Sequence, residues 1–243
     1  MAVAAAVGLS ACTLAPQYTA DRSISESVEL AGEQVLVVDA ILPIDFRGAR
    51  RRSDIQIDIE ATLTASSAET AEEMAAALAI EKANTDPSIL TLTLAAPTKG
   101  FISGTLVITA PSDLDVQIVE RGGAVRVDGL EGTLQVDALS DVQVRNAQNN
   151  VLIRVAEGLA VLDTLGLPGT TTQVAVGVGD VYLALPTTTL NLTLFAQGQR
   201  IIVDHPQLPR VLNTGRPYEA TVGVALAAVS LTAQQGAVTI GAR

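Results

Sequence analysis

Gly123-Ala124-Val125-Arg126-Val127, Gly179-Asp180-Val181-Tyr182-Leu183 and Gly236-Ala237-Val238-Thr239-Ile240 state one phrase three times: a glycine, a small or polar residue, then aliphatic residues at alternate positions. The residues that precede each such strand are Ala124, Asp141, Leu159, Asp180, Gln199, Glu219 and Ala237, at spacings of 17, 18, 21, 19, 20 and 18 residues. Three positions later stand Val127, Val144, Leu162, Leu183, Ile202, Val222 and Ile240, all aliphatic. One position later stand Val125, Val142, Ala160, Val181, Ala220 and Val238, and only Arg200 breaks that column. A second strand precedes most anchors, carried by Val116 and Ile118, Leu134 and Val136, Val151 and Ile153, Val174 and Val176, Leu190 and Leu192, and Val229 and Leu231. The stretch from Gln207 to Pro217 is degenerate in this respect.

Aliphatic residues at one phase of a period of about 19 residues are what a wound, all-β repeat requires. Each winding contributes short strands whose side chains alternate in and out, and the inward ones stack into files. The expected fold is therefore all-β: a short, parallel β-helix-like β-solenoid of about seven coils, spanning about 34 Å at one strand spacing per coil. Gly122-Gly123, Asn149-Asn150, Gly177-Val178-Gly179 and Gly236 supply its corners. The competing all-β reading is an antiparallel sandwich, which also places strands every 8–12 residues. Composition fits a stacked core. Of 243 residues, 48% are hydrophobic and only 2% aromatic, so Val, Leu, Ile and Ala must fill the interior.

Upstream, residues 29–111 read as a small mixed region of strands and one helix that packs on the solenoid of residues 112–243. Gln34–Val38 reads as a strand. Ile55, Ile57, Ile59 and Leu63 alternate along one face of a second strand, and Ile89–Leu94 and Thr105–Ile108 alternate again. Between them Ser66 and Glu69 have the spacing of a capping box. Ala71, Met74, Ala75 and Leu78 form an apolar stripe at helical spacing, Lys82 falls in the expected last turn, and Asp86-Pro87 ends the segment.

Residues 1–12 form a short apolar run ending in Leu9-Ser10-Ala11-Cys12, which resembles the bacterial lipobox. The resemblance implies cleavage before Cys12, acylation of its sulfur with palmitate-type chains, and attachment to a membrane through that lipid. Thr13 rather than Asp follows the cysteine, which by the same resemblance implies the outer membrane. No Lys or Arg precedes Cys12 and the run is short, so the true start is expected upstream of Met1. Residues 13–28 show no clear period and are expected to be a tether.

The Gly-small-Val-x-Val phrases, preceded by strand, Ala/Glu-rich helix and strand over residues 53–110, make residues 29–243 resemble a family of bacterial envelope proteins with β-strand repeats, described as adhesins. The turns lack the Ser/Thr-Gly-Asn/Ser-Gly-Asp richness of that family. The resemblance implies an adhesin-like, non-enzymatic surface or scaffold role and supplies no catalytic residues.

A net charge of −11 disfavours nucleic acid as a partner. One Cys and one His leave little for a metal site or a disulfide framework, and no cofactor is expected. His205, beside Asp204, reads as an exposed loop histidine, since no Gly-x-Ser-x-Gly elbow accompanies it. Asp128, Arg145 and Asp163 fall at one outward phase of consecutive coils, where neighbouring opposite charges stabilise each other. The alternative function for such a fold is a polysaccharide-active, lyase-like enzyme with clustered carboxylates, an Arg or Lys base and a sugar-stacking aromatic, for which Tyr182 is the main candidate. Arg50-Arg51-Arg52 reads first as a solvated turn and second as a contact for an anionic partner. The last strand, Val238–Ile240, ends almost at the C-terminus. Either an earlier segment covers it, or it is an edge for another chain. A glycan or protein partner is expected on the solenoid faces or at that edge, and an envelope sensor is a third role compatible with the same features.

Overall fold

The computed structural model describes residues 17–95, 97, 99–164 and 168–243. The lipobox and Cys12 lie outside them. The first strands, β1 (Tyr18–Glu29), β2 (Val35–Ala40), β3 (Ile44–Ala49) and β4 (Asp54–Ala65), lead to the helix α1 (Ala68–Ala77). Next come β5 (Ile80–Asp86), β6 (Ile89–Leu94) and β7 (Phe101–Pro111). The middle of the chain contributes β8 (Asp115–Glu120), β9 (Val125–Asp128), β10 (Leu134–Ala138), β11 (Val142–Ala147), β12 (Val151–Glu157), β13 (Ala160–Thr164), β14 (Thr171–Val178) and β15 (Val181–Leu185). The last part contributes β16 (Leu192–Gln197), β17 (Arg200–Asp204), β18 (Val211–Thr214), β19 (Tyr218–Val222), β20 (Ala227–Gln235) and β21 (Ala237–Ala242).

These strands make two large, mostly parallel sheets, not closed onto each other. One runs β1-β4-β7-β3-β9-β11-β13-β15-β21-β17-β18, the other β19-β16-β20-β14-β12-β10-β8-β2-β6-β5. From β8 to β15 the chain alternates strictly between them, and each strand pairs in parallel with its predecessor in the same sheet. The sheets face each other across one apolar core. Ile57, Leu106 and Ile108 of the first meet Ile80, Leu92 and Leu94 of the second around a void of about 10 Å³. Parallel sheets form because every crossing is made at a corner, and each sheet repeats at the strand spacing.

The core is built from files. Ile108, Phe46, Val127, Val144, Leu162, Leu183, Ile240 and Val203 are partners in sequence across the first sheet, each at most 1% exposed. Five of the seven expected column residues therefore share one interior file. Ile202 and Val222 do not. Arg200 pairs with Ala237, so the register there begins one residue later than the spacing suggested, and Ile201 and Val203 are the buried residues. Ile202 and its partner Thr239 lie on the outer side. Val222 belongs to the other sheet, where β19 runs antiparallel to β16. The second sheet has the same construction, with Leu92, Val38, Ile118, Val136, Ile153, Val174, Leu231 and Ala196 in one file. Here Leu194 and Ala196 take the places expected of Leu190 and Leu192.

Space and sequence part company at both ends. The pair β2–β3 lies between β6–β7 and β8–β9, and the pair β20–β21 lies between β14–β15 and β16–β17. The last strand is thus covered by an earlier segment, with β15 on one side and β17 on the other. Antiparallel strands close all four ends: β1 on β4, β18 on β17, β19 on β16 and β5 on β6.

The segment read as a tether is a strand from Tyr18 onward, because its alternation of Ala20, Ile24 and Val28 packs against the core while Ser25 and Ser27 hydrogen-bond outward to Asp58 and Asp54. Helix α1 buries Ala71, Met74 and Ala75, with Leu78 at its C-cap. Its N-cap is Ser67, not Ser66: the Ser67 side chain accepts the N–H of Thr70 at 3.1 Å. Lys82 lies beyond the helix, in β5, where it forms an ion pair with Glu26. Among the described residues no helix is long and apolar enough to cross a membrane.

Candidate binding faces

The corners that carry the glycine phrase explain it. Gly179 has φ +125°, and a Cβ there would sit 1.9 Å from the carbonyl oxygen of Gly158; one on Gly236 would sit 1.9 Å from that of Gly179. Successive corners approach backbone to backbone, leaving no room for a side chain. The next position braces the neighbouring strand. Asp141 Oδ1 accepts the N–H of Leu159 (2.8 Å), and Asp180 Oδ1 that of Ala237 (2.7 Å). At the opposite corners Asp115 accepts from Thr133 (2.7 Å) and Asn150 from Thr171 (2.8 Å).

With corners and core fixed, every second residue of each strand faces outward at one strand spacing from its neighbour. On the first sheet Arg47, Asp128, Arg145 and Asp163 lie in register, extending the expected charge row by one member. Their side chains pair beyond the row: Arg47 with Asp45 (2.5 Å), Asp128 with Asn146 (2.8 Å) and Asp163 with Arg243. The Asp45 hydrogen bond and charge raise the already high proton affinity of Arg47. The adjoining row passes through Arg126, Gln143, Val161, Tyr182, Thr239 and Ile202. On the second sheet, Gln117, Gln135, Leu152, Gln173 and Ser230 form an outward row.

Concavities among the described residues interrupt these faces. One of about 500 Å³ is bounded by Val119, Arg121, Asp137, Leu139 and Arg154, with Glu120 at its floor. Both arginines are paired, Arg121 with Asp39 (2.7 Å) and Arg154 with Asp137 (3.1 Å). Glu120 is 1% exposed; its Oε1 accepts the N–H groups of Gly122 and Gly123, and its Oε2 has no partner among the described residues. Sequence reading missed this residue, although its place two residues after Ile118 and before Gly122-Gly123 marks an inward corner position. A second hollow of about 360 Å³ lies beside α1, walled by Leu63, Met74, Leu78 and Pro97 and rimmed by Glu73 and Lys99. The third, about 460 Å³, is a polar trough over Asp21, Glu60, Thr62, Ser103 and Gly104.

The remaining sequence candidates separate. His205 is not an exposed loop residue. It is 3% exposed, with Nδ1 accepting the N–H of Gln207 (3.2 Å) and Nε2 facing the carbonyl of Pro186 (3.1 Å). These partners fix the Nε2–H tautomer and make it a brace inside the 205–208 turn. Asp204 turns away to Arg210 (3.3 Å). Arg50 reaches Glu131 (2.6 Å) and Arg52 reaches Asp54 (2.9 Å), in a turn where Arg51 adopts φ 63°. Tyr182 is 36% exposed, with its hydroxyl over Gly241. Among the described residues no cluster of three or more His, Cys, Asp or Glu is placed to hold a metal ion.

No family model matches the sequence, and no curated protein is significantly similar to it. The structure is similar to that of a candidate cell adhesion protein from Clostridium sporogenes, with a TM-score of 0.52 and 13% identity, over 92% of this chain and 100% of the other. A candidate adhesin from Bacteroides fragilis aligns over 91% of this chain and 97% of its own at 13% identity and a TM-score of 0.39. At such identity, the first likeness means that the two chains share a fold.

Proposed function

We propose that the chain is a non-enzymatic, lipid-anchored binding or scaffold module of the bacterial cell envelope, adhesin-like in role and built as a short two-faced β-solenoid. The observation that carries this reading is the pair of regular outer faces, above all the Gln117–Gln135–Leu152–Gln173–Ser230 row. Rows of amide and hydroxyl groups at one strand spacing suit a repetitive or extended ligand, a glycan or a protein strand, better than a small substrate. The adhesion-related description of the fold's Clostridium neighbour points the same way.

The anchor is Cys12, acylated and held in the outer membrane. Because β1 begins at Tyr18, only residues 13–17 separate lipid from sheet. Five extended residues reach at most about 18 Å, so the β1 end stands close to the bilayer. Cys12→Ser expressed with its native upstream region is expected to move the protein from the membrane to the soluble fraction, and mass spectrometry of the wild-type N-terminus to show an acylated Cys12. An unmodified Met1 in the mature protein refutes the anchor. Binding is tested on a glycan array with and without Ca²⁺: retention without product supports the module, and release of unsaturated sugars would establish the lyase.

A further inference from the structure

The C-terminal strands β20 and β21 fill a slot that the rest of the chain has already built. Their neighbours β14–β15 and β16–β17 precede them in sequence, and the chain reaches the slot only after running out to β18 and β19 and returning. Both strands are paired on each side in parallel. Fixed attachments complete the fit: Asp180 takes the N–H of Ala237, Arg243 donates its N–H to Leu185 (2.9 Å), and its guanidinium pairs with Asp163. None of these contacts depends on which copy of the chain supplies residues 227–243.

The connection into the slot is the short segment Gly223–Leu226, and it is strained and open. Gly223 has φ 64° and Ala225, with a side chain, φ 53°. Val224 is 70% exposed and Leu226 47%. The segment is tied down through Asn191, whose Oδ1 accepts the N–H of Val224 (3.2 Å) and whose carbonyl accepts those of Leu226 and Ala227 (3.1 Å each). A terminal element with self-contained contacts, joined by a short hinge under strain, is the arrangement from which identical elements exchange between protomers.

We infer that the slot between β14–β15 and β16–β17 is an interaction site for the C-terminal strand pair of a second copy, giving a reciprocally exchanged dimer. Exchange remakes every pairing of β20 and β21 in trans and lets Ala225 leave the left-handed region. It also brings two hinges together, so that Val224 and Leu226 of one copy cover those of the other.

The test uses Tyr182 and Thr239, outward partners on β15 and β21. In a full-length Cys12→Ser background, Tyr182→Cys and Thr239→Cys chains are unfolded together, refolded at high concentration and oxidised. A covalent dimer containing one of each chain is expected, and the double variant Tyr182→Cys/Thr239→Cys refolded dilute is expected to close the same bond within one chain. Ala225→Pro, which excludes positive φ, should raise the linked fraction and Ala225→Gly, which removes the strain, should lower it, each by roughly tenfold per hinge. The inference is overturned if the mixture stays monomeric with both the native hinge and Ala225→Pro while the double variant closes its bond. Equal linking across all three hinges, the mark of chance collision, would overturn it too.

Discussion

Asp180 and Gly179 show how much one corner decides. The glycine lets neighbouring backbones touch, and the aspartate oxygen accepts the N–H of Ala237 on the neighbouring strand. Gly179→Ala is expected to destabilise by about 1–3 kcal/mol through overpacking alone, read as a lowered urea midpoint at constant slope. His205 is a different kind of residue-scale contribution. Replacing buried His205 with Ala takes the partner from the half-buried Gln207 N–H and Pro186 carbonyl, and about 1–3 kcal/mol should be lost without any change in ligand binding. Carboxylates supply the acid response. The Ser27 hydroxyl and Arg52 hold Asp54 below the usual carboxylate range, Ser25 and Gln56 do so for Asp58, and the Ser88 hydroxyl and N–H for Asp86. Each folded value lies below the unfolded one, so the stabilisation is complete above about pH 4 and vanishes as acid takes the pH down through the folded values. Thermal midpoints measured from pH 7 to 2 should fall in that window, and less steeply in Ser25→Ala/Ser27→Ala.

Single strands are where the sequence could be read well and where it misled. Alternation gave β4 and β6 nearly to the residue, because one face of each is buried and a slip of one position would turn Ile55, Ile57 and Ile59 to water. It gave the file from Val127 to Leu183 for the same reason. In β17 two alternations overlap, since Ile201, Ile202 and Val203 are all aliphatic, and only Arg200 marked the correct phase. Val203→Thr should therefore cost about 1–3 kcal/mol by burying a hydroxyl, whereas Ile202→Thr should stay within about 0.5 kcal/mol. Denaturation of the two variants side by side decides the register. β1 was illegible because its apolar residues are separated by serines and charges, and what holds it is a distant strand, with partners from Glu29↔Asp54 to Tyr18↔Ala65. Buried Glu120 was hidden for the converse reason: its two corner N–H donors are visible only once Gly122 and Gly123 have been folded back upon it.

Over the whole molecule, chain order and spatial order differ, and no local pattern encodes that. Periodicity announces that repeats stack; it cannot say that the last pair stacks next to last. The measurable consequence is in hydrogen exchange. Amides of Val238–Ile240 should be among the slowest in the isolated monomer, although they lie within six residues of the chain end, because β15 and β17 enclose them. Rapid exchange there would contradict the insertion.

The antiparallel strands at all four sheet ends have a wider consequence. A stack of like parallel strands is, in principle, a template on which further molecules could be added without limit, as in a fibre. Here β18, β19 and β5 run against the parallel interior, and β1, antiparallel to β4, interrupts its own inward face with Arg22 and Glu26, so a newcomer meets no continuation of the aliphatic files. The number of strands that stack in register is consequently set within one molecule and not by how many molecules meet.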